Sequence, residues 1–177
     1  MSVDQEQFRA ALGRFASGVT VVTTVEHGVD HAMTASAFTS VSLEPPQVLI
    51  CAHRTSRFHE AVLATGVWAV SILSDRGRVE SAWFAHRGRP LEGQMERSDH
   101  HRSPSGLPVL DASLAWMECR TTAMHDGGDH TIIVGDVVWA QTADRDDDDP
   151  LLYYRSHYGT IVRSEQSEKT LQADDGV

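Results

Sequence analysis

The 177-residue chain is 41% hydrophobic and 23% charged, with a formal net charge of −10. That length suits one domain with a substantial core, and the negative charge argues against nucleic acid or an anionic membrane as a partner. No apolar run approaches the ~20 residues of a membrane-spanning helix, and the N-terminus lacks the layout of a signal peptide. We therefore expect a cytoplasmic protein. Cys51 and Cys119 fit reduced core residues, although a disulfide stays open.

The first third of the chain predicts one helix followed by strands. In the helix, over residues 4–16, Asp4 is a suitable N-cap, and Phe8, Leu12 and Phe15 fall on one face. Gly28 indicates a turn between the first two strands, and a double proline ends the second. We predict these strands at residues 19–25, 31–42 and 48–53.

The middle of the chain predicts two more helices. The first begins at Thr55-Ser56 and ends at Gly66, with Phe58, Val62 and Leu63 directed inward. In the next helix, one side carries Val79, Ala82 and Trp83. We predict a strand at residues 67–73, that helix at 75–85 and a long polar loop at 87–108.

The last third predicts a hairpin around Asp126-Gly127-Gly128-Asp129, with strands at 114–124 and 130–141. Gly135 marks a bulge or a close approach within the second strand. A short strand or turn is predicted at 151–154. The chain therefore predicts one domain over residues 1–163, mainly β with antiparallel strands and a few peripheral helices, and a disordered tail over 164–177.

Three groups of residues could form a site. Hydroxyl and small side chains in residues 31–42 suit either a ligand-binding strand end or a solvated edge strand. Residues 54–57 read Arg-Thr-Ser-Arg before a helix, which suits an anion site or a solvated basic turn. The third group is Gly128-Asp129-His130 with His157, which suits either a site built from a hairpin and a C-terminal turn or two surface histidines. No metal site is expected, because H-E-x-x-H is absent and His100-His101 lacks ligands at zinc spacing. A Rossmann turn is absent too.

The order of several segments resembles the short-chain flavin reductases, the reductase components of two-component flavin-dependent monooxygenases. The signature T-A-S-A-F-T-S-V-S-L-E-P-P occupies residues 34–46. The matching segments span residues 6–162, and together they are more specific than any one of them. The others lie at residues 8–23, 48–57, 66–73, 81–85, 128–137 and 154–159.

This resemblance implies a Greek-key-like split β-barrel, a homodimer, and reduction of FMN or FAD by NADH or NADPH. The reduced flavin would then pass to a separate monooxygenase. For the flavin ring and ribityl chain, the resemblance implies Met33, Thr34, Ala35, Ser36, Ala37, Thr39 and Ser40. For the flavin phosphate and tail, it implies Arg54, Thr55, Ser56, Arg57, Phe84 and Ala85. For the nicotinamide, it implies His130 with Arg155, Ser156, His157 and Tyr158, and a second basic residue is Arg87 or Arg89.

His130 is the catalytic candidate. Hydride transfer between two cofactors needs no protein acid or base, so we expect this side chain to position the nicotinamide. Backbone N–H groups and hydroxyls would stabilise negative charge on the flavin. The same barrel could also hold FMN without turnover, for storage or sensing. A split-barrel oxidase acting on pyridoxine phosphate or haem fits the segments less well.

Overall fold

The computed structural model describes residues 3–144 and 148–162. The predicted tail and residue 163 lie outside the described residues. The helices are α1 (Gln5–Leu12), α2 (Arg57–Thr65) and α3 (Arg78–Ala85), with a 3-10 turn at Asp75–Gly77 before α3. The first six strands are β1 (Ser17–Gly18), β2 (Thr20–Glu26), β3 (Val29–Ala35), β4 (Phe38–Leu43), β5 (Pro46–His53) and β6 (Val67–Leu73). The others are β7 (His100–Arg102), β8 (Pro108–Leu110), β9 (Ser113–Gly127), β10 (His130–Thr142), β11 (Leu152–Tyr154) and β12 (His157–Gly159).

The main sheet has seven antiparallel strands in the order β3-β2-β6-β9-β10-β5-β4. Its two edge strands, β3 and β4, are separated in sequence by Ser36 and Ala37 alone. Since two residues span less than about 10 Å, the sheet must curl until its edges approach each other at this link. The predicted split barrel is confirmed. The prediction of one strand over 31–42 was wrong, because the chain bends at Ser36 and crosses from one edge to the other.

One apolar core lies between the curled sheet and α2. Phe58 and Val62 of this helix pack with buried Ile50, Trp68 and Ile133. Ser56 caps the helix by accepting a hydrogen bond from the His59 N–H (3.2 Å), and Gly66 ends it with a φ of 65°. These cap predictions are confirmed. Leu63 was predicted to face inward and is exposed instead, since it lies about 100° around the helix from Val62.

A second core lies under α3, where Phe84 packs with Val21, Leu73 and Leu110. The predicted apolar side of α3 meets this core only in part, since Trp83 packs against it. Val79 is 74% exposed, while Ser81 is fully buried. A serine can occupy that position because its hydroxyl is hydrogen-bonded to the Tyr158 hydroxyl at 2.8 Å.

Helix α1 has the predicted apolar face, but none of its residues is buried. Phe8 is 57% exposed, Leu12 56% and Phe15, just beyond the helix, 74%. In the described part of this chain the face therefore remains open to solvent. No helix there combines the length and the hydropathy that crossing a membrane requires.

The segment predicted as a loop over 87–108 is partly ordered into strands, because β7 pairs with β8. Buried Glu118 of β9 anchors this segment by accepting hydrogen bonds from the Ser103 hydroxyl and from the Ser105 N–H and hydroxyl, the last two at 2.8 Å. Burial raises the pKa of the Glu118 carboxyl, but these hydrogen bonds outweigh it and the net pKa is lowered.

Gly135 lies at a register shift between β9 and β10, so the predicted bulge is confirmed. It is also a close approach, since a Cβ added there would stand 2.8 Å from Cζ2 of the fully buried Trp68. Cys51 and Cys119 are both free thiols.

Candidate functional site

A cavity of about 590 Å³ opens where the β3–β4 link approaches the start of α2. The ends of β5 and β10 and the C-terminal end of α3 complete its wall. The fold thus brings together segments that are far apart in sequence. Of the predicted site residues, this cavity gathers Met33, Thr34, Ala35, Ser36, Ala37, Thr55, Ser56, Arg57, Phe84, Ala85 and His130.

The β3–β4 link forms one wall of the cavity from small side chains. Its backbone is held from both sides, since the Ala35 carbonyl accepts from the Thr20 hydroxyl (2.7 Å) and the Ala37 carbonyl accepts from the Cys51 N–H (3.2 Å). The Thr34 hydroxyl donates to the Ser81 carbonyl at 2.7 Å, so it serves the fold. The backbone of the link is consequently held in place, and its small side chains let a flat ligand approach that backbone.

The start of α2 forms another wall. Ser56 is the N-cap and Arg57 the first helical residue, and both line the cavity, so the helix N-terminus and a guanidinium lie beside the same space. The Arg57 guanidinium also donates to the Arg89 carbonyl at 2.8 Å, which ties the helix to the loop after α3. A helix N-terminus next to an arginine is a suitable site for a phosphate.

Four arginines line the cavity: Arg9, Arg57, Arg87 and Arg89. Among the cavity-lining residues the carboxylate is that of Asp129, so the cavity is cationic although the chain is strongly acidic. Sequence reasoning missed Arg9, because nothing in α1 itself indicates that one of its side chains reaches a site built from β3, β5 and α2.

The choice between Arg87 and Arg89 can be argued from their contacts. The Arg89 guanidinium donates to the Gln94 side chain (2.9 Å), to the carbonyls of Phe84 (2.8 Å) and His86 (2.9 Å), and to the Ala32 carbonyl. Burial, together with the charge of Arg57, lowers the pKa of Arg89 to about 10. Arg89 therefore braces the cavity wall, and Arg87 has the exposed guanidinium.

His130 begins β10 directly opposite His53, the last residue of β5. Their rings meet edge to face with centroids 4.9 Å apart. His130 Nδ1 lies 2.7 Å from Oδ1 of Asp129, and the hydrogen bond from His130 lowers the pKa of that carboxyl. Sequence reasoning named Asp129 beside His130 but missed His53, because the pairing of β5 with β10 cannot be read from either strand alone.

The other predicted site residues do not line this cavity within the described chain. Thr39 and Ser40 lie exposed on the edge strand β4. Arg54 forms an ion pair with Asp126 near the end of β9. Residues 155 and 156 form the turn from β11 into β12, and residues 157 and 158 begin β12, where His157 Nδ1 lies 2.7 Å from the Arg155 carbonyl oxygen. No group of three or more potential metal ligands occurs among residues 3–144 and 148–162.

A family model described as a flavin reductase like domain matches residues 12–162. The chain is 35% identical over 172 residues to the reductase subunit HsaB of a flavin-dependent monooxygenase from Rhodococcus jostii, covering 97% of this chain and 84% of that protein. It is 41% identical over 160 residues to the FMN reductase (NADH) SmoA from Agrobacterium fabrum, covering 90% and 88%.

Solved structures agree with this similarity. The NADH:FAD oxidoreductase SgcE6 from Streptomyces globisporus, crystallised with NAD and FAD fragments, superposes with a TM-score of 0.84 at 31% identity. The superposition covers 93% of this chain and 99% of that one. The likeness therefore extends across the barrel and includes the strands and helices that build the cavity.

Proposed function

The chain belongs to the flavin reductase-like domain family, and from that premise we propose that it transfers a hydride from NADH to a flavin held in the cavity. It is an oxidoreductase, as the names of its relatives state of them. The observation that carries the proposal is the cavity itself. It is lined by the small side chains of the β3–β4 link, by the N-terminus of α2 with Arg57, and by His130.

The residues present fit a flavin. A flat ring system needs a wall without bulky side chains, and Ala35, Ser36 and Ala37 supply one. A phosphate needs N–H donors and positive charge, which the start of α2 and Arg57 supply. We propose that Met33 to Ala37 face the ring and that Thr55, Ser56 and Arg57 hold the phosphate. Phe84 and Ala85 would then contact the tail of the flavin.

Flavin supplies the two-electron chemistry when bound, so the side chains of this protein have to orient and to stabilise. Backbone N–H groups of the β3–β4 link would stabilise negative charge that develops on the ring. His130 also lines the cavity, where it can contact a second ligand. We propose that His130 positions the nicotinamide, as a catalytic residue that moves no proton.

The identity of the flavin is a matter of the number of phosphates. The phosphate site at the start of α2 is sufficient for the single phosphate of FMN. Arg9 and Arg87 add positive charge that the second phosphate of FAD would use. The relatives differ here, since SmoA is named for FMN and SgcE6 for FAD. We propose that the chain accepts both, with NADH as the donor and the cytoplasm, where NADH is generated, as the location.

We propose that the chain works as a homodimer and delivers reduced flavin to a separate monooxygenase. The open face of α1, with Phe8, Leu12 and Phe15, is what a second copy would cover. A second copy could also bring Thr39, Ser40 and residues 155–158, which lie away from the cavity of their own chain, towards the flavin or nicotinamide, whereas Arg54 stays paired with Asp126. The delivery step rests on the similarity to HsaB, the reductase subunit of such a monooxygenase.

The test is NADH oxidation, followed by absorbance, with FMN, FAD and riboflavin compared. A reductase oxidises NADH only when flavin is present, and His130→Ala raises KM for NADH or lowers kcat without abolishing turnover. A protein that purifies with tightly bound flavin and leaves NADH unoxidised would instead be a flavin-binding module. Complete loss of turnover in a folded His130→Ala protein would contradict the positioning role.

A further inference from the structure

Asp129 stands between two imidazoles at the edge of the cavity. Its Oδ1 lies 2.7 Å from His130 Nδ1, and its Oδ2 lies 3.8 Å from His53 Nε2. The first distance is a hydrogen bond; the second is too long for one but close enough for an electrostatic contact. All three side chains line the cavity.

These contacts determine which nitrogen of His130 carries the proton. An ionised carboxylate only accepts hydrogen bonds, so His130 Nδ1 must be the donor. The contacts of His53 favour the other tautomer, with the proton on Nε2. The Thr55 backbone N–H donates to His53 Nδ1 at 3.2 Å, so neutral His53 carries its proton on Nε2, facing Asp129. The carboxylate thus accepts a hydrogen bond from His130 and has the N–H of His53 at electrostatic contact distance on its other side.

The backbone around this group is held in place. His130 and His53 are register partners in adjacent strands. The Arg54 N–H donates to the Asp129 carbonyl at 3.0 Å, and the Arg54 side chain donates to the His130 carbonyl at 3.3 Å. The carboxylate and both imidazoles are therefore held by β5 and by the β9–β10 turn, even though the Asp129 side chain itself is 76% exposed.

We propose that Asp129 is a positioning residue that fixes neutral His130 in the Nδ1–H tautomer and so presents its Nε2 lone pair to the cavity. The ligand group that matches this acceptor is a primary amide, whose NH₂ would donate to Nε2. Resting on the proposed function, this assigns the NH₂ of the nicotinamide carboxamide to His130. The carbonyl oxygen of that group then points away from the imidazole. His53 supports the arrangement from the far side of the carboxylate.

The tautomer is measured directly in the ligand-free protein. Imidazole ¹⁵N shifts and two-bond ¹H–¹⁵N correlations distinguish Nδ1–H from Nε2–H above the range in which histidine titrates. We expect the Nδ1–H pattern for His130 in the wild type and in Asp129→Asn, whose side-chain carbonyl still accepts. In Asp129→Ala, which has no acceptor, we expect Nε2–H to dominate. An Nε2–H pattern in the wild type overturns the proposal, whatever the variants do.

The matched control is Asp126→Ala, which removes a carboxylate from the end of β9, three residues before Asp129. Asp126 pairs with Arg54 and accepts from the Gly128 N–H (3.2 Å), and its loss should leave the His130 tautomer unchanged. A tautomer change of equal size in Asp126→Ala would mean that the turn as a whole, and not Asp129, sets the imidazole.

Kinetics supply the second readout. Asp129→Ala should raise KM for NADH about three- to tenfold, the range expected for one misdirected hydrogen bond, with kcat and KM for flavin nearly unchanged. A variant in which KM for NADH, kcat and KM for flavin all become worse by the same factor would contradict a positioning role. A wild-type protein that shows the Nδ1–H tautomer but does not oxidise NADH would refute the proposed function and leave the assignment of the tautomer standing.

Discussion

Replacing Arg57 by methionine tests the proposed phosphate-binding site at the start of α2. Methionine keeps an unbranched stem and the helix propensity but removes the charge and the N–H donors. One donor of the Arg57 guanidinium is used by the Arg89 carbonyl, at 2.8 Å, and the others are available to a ligand. We expect the variant to lose part of its preference for FMN over riboflavin, since these two flavins differ by the phosphate.

The size of the effect follows from the exposure of the site. A hydrogen bond to a charged group contributes about 1.5–3 kcal/mol, and Arg57 is solvent-exposed, so screening places it near the lower end, about 1–2 kcal/mol. That energy corresponds to about a 5- to 30-fold fall in the ratio of the two dissociation constants. Some preference for FMN remains, because the helix N-terminus, Arg9 and Arg87 are still present.

The assay is titration of each flavin by fluorescence quenching, with Arg54→Met as the matched control. Arg54 stands three residues earlier but is paired with Asp126 and does not line the cavity. Its replacement should leave the FMN-to-riboflavin ratio nearly unchanged. If Arg57→Met weakens both flavins equally, or if Arg54→Met reproduces its effect, the phosphate does not bind at the start of α2.

Three further variants test the fold and the assembly. Gly135→Ala should lower the free energy of unfolding by about 1–3 kcal/mol, since its Cβ would stand 2.8 Å from Trp68. Denaturant titration measures this change. The control Gly18→Ala, with open space around it, should lower the free energy of unfolding much less. Glu118→Gln should cost stability near neutral pH. Because the folded pKa of Glu118 lies below its unfolded value, this cost should disappear as pH falls through the folded pKa, as denaturation at several pH values would reveal. Leu12→Glu should shift the protein towards monomer in analytical ultracentrifugation, and an unchanged sedimentation coefficient would argue against α1 as the dimer face.

Local signals predicted the helices and turns well. Ser56 and Gly66 bracket α2 because an N-cap hydroxyl and a left-handed C-terminal residue act within one helical turn. The hairpin at Gly128 also depends on nearby residues, whereas the bulge at Gly135 lies against Trp68 of a distant strand. The bend at Ser36 was missed because every residue around it suits a strand, and the bend exists only because the curled sheet brings its edges together.

Burial was harder to predict where a polar residue replaces an apolar one. Ser81 is buried on α3 because Tyr158, from a hairpin 77 positions later, completes its hydrogen bonds. The site has the same limit. Residues 33–37 and 55–57 were predicted because their segments resemble those of a known family, whereas Arg9 and the contact of His53 with His130 depend on how distant elements pack.

The place where the barrel is split has a consequence for how the protein resists aggregation. Each edge strand of a sheet turns one row of backbone amides and carbonyls outward, where a foreign strand could add. In this chain β3 and β4 converge on each other through Ser36 and Ala37, and the Arg89 guanidinium caps the outward carbonyl of Ala32. A ligand seated against this seam would shield the remaining groups. Occupancy of the cavity and protection of the sheet from intermolecular strand addition would then rise together.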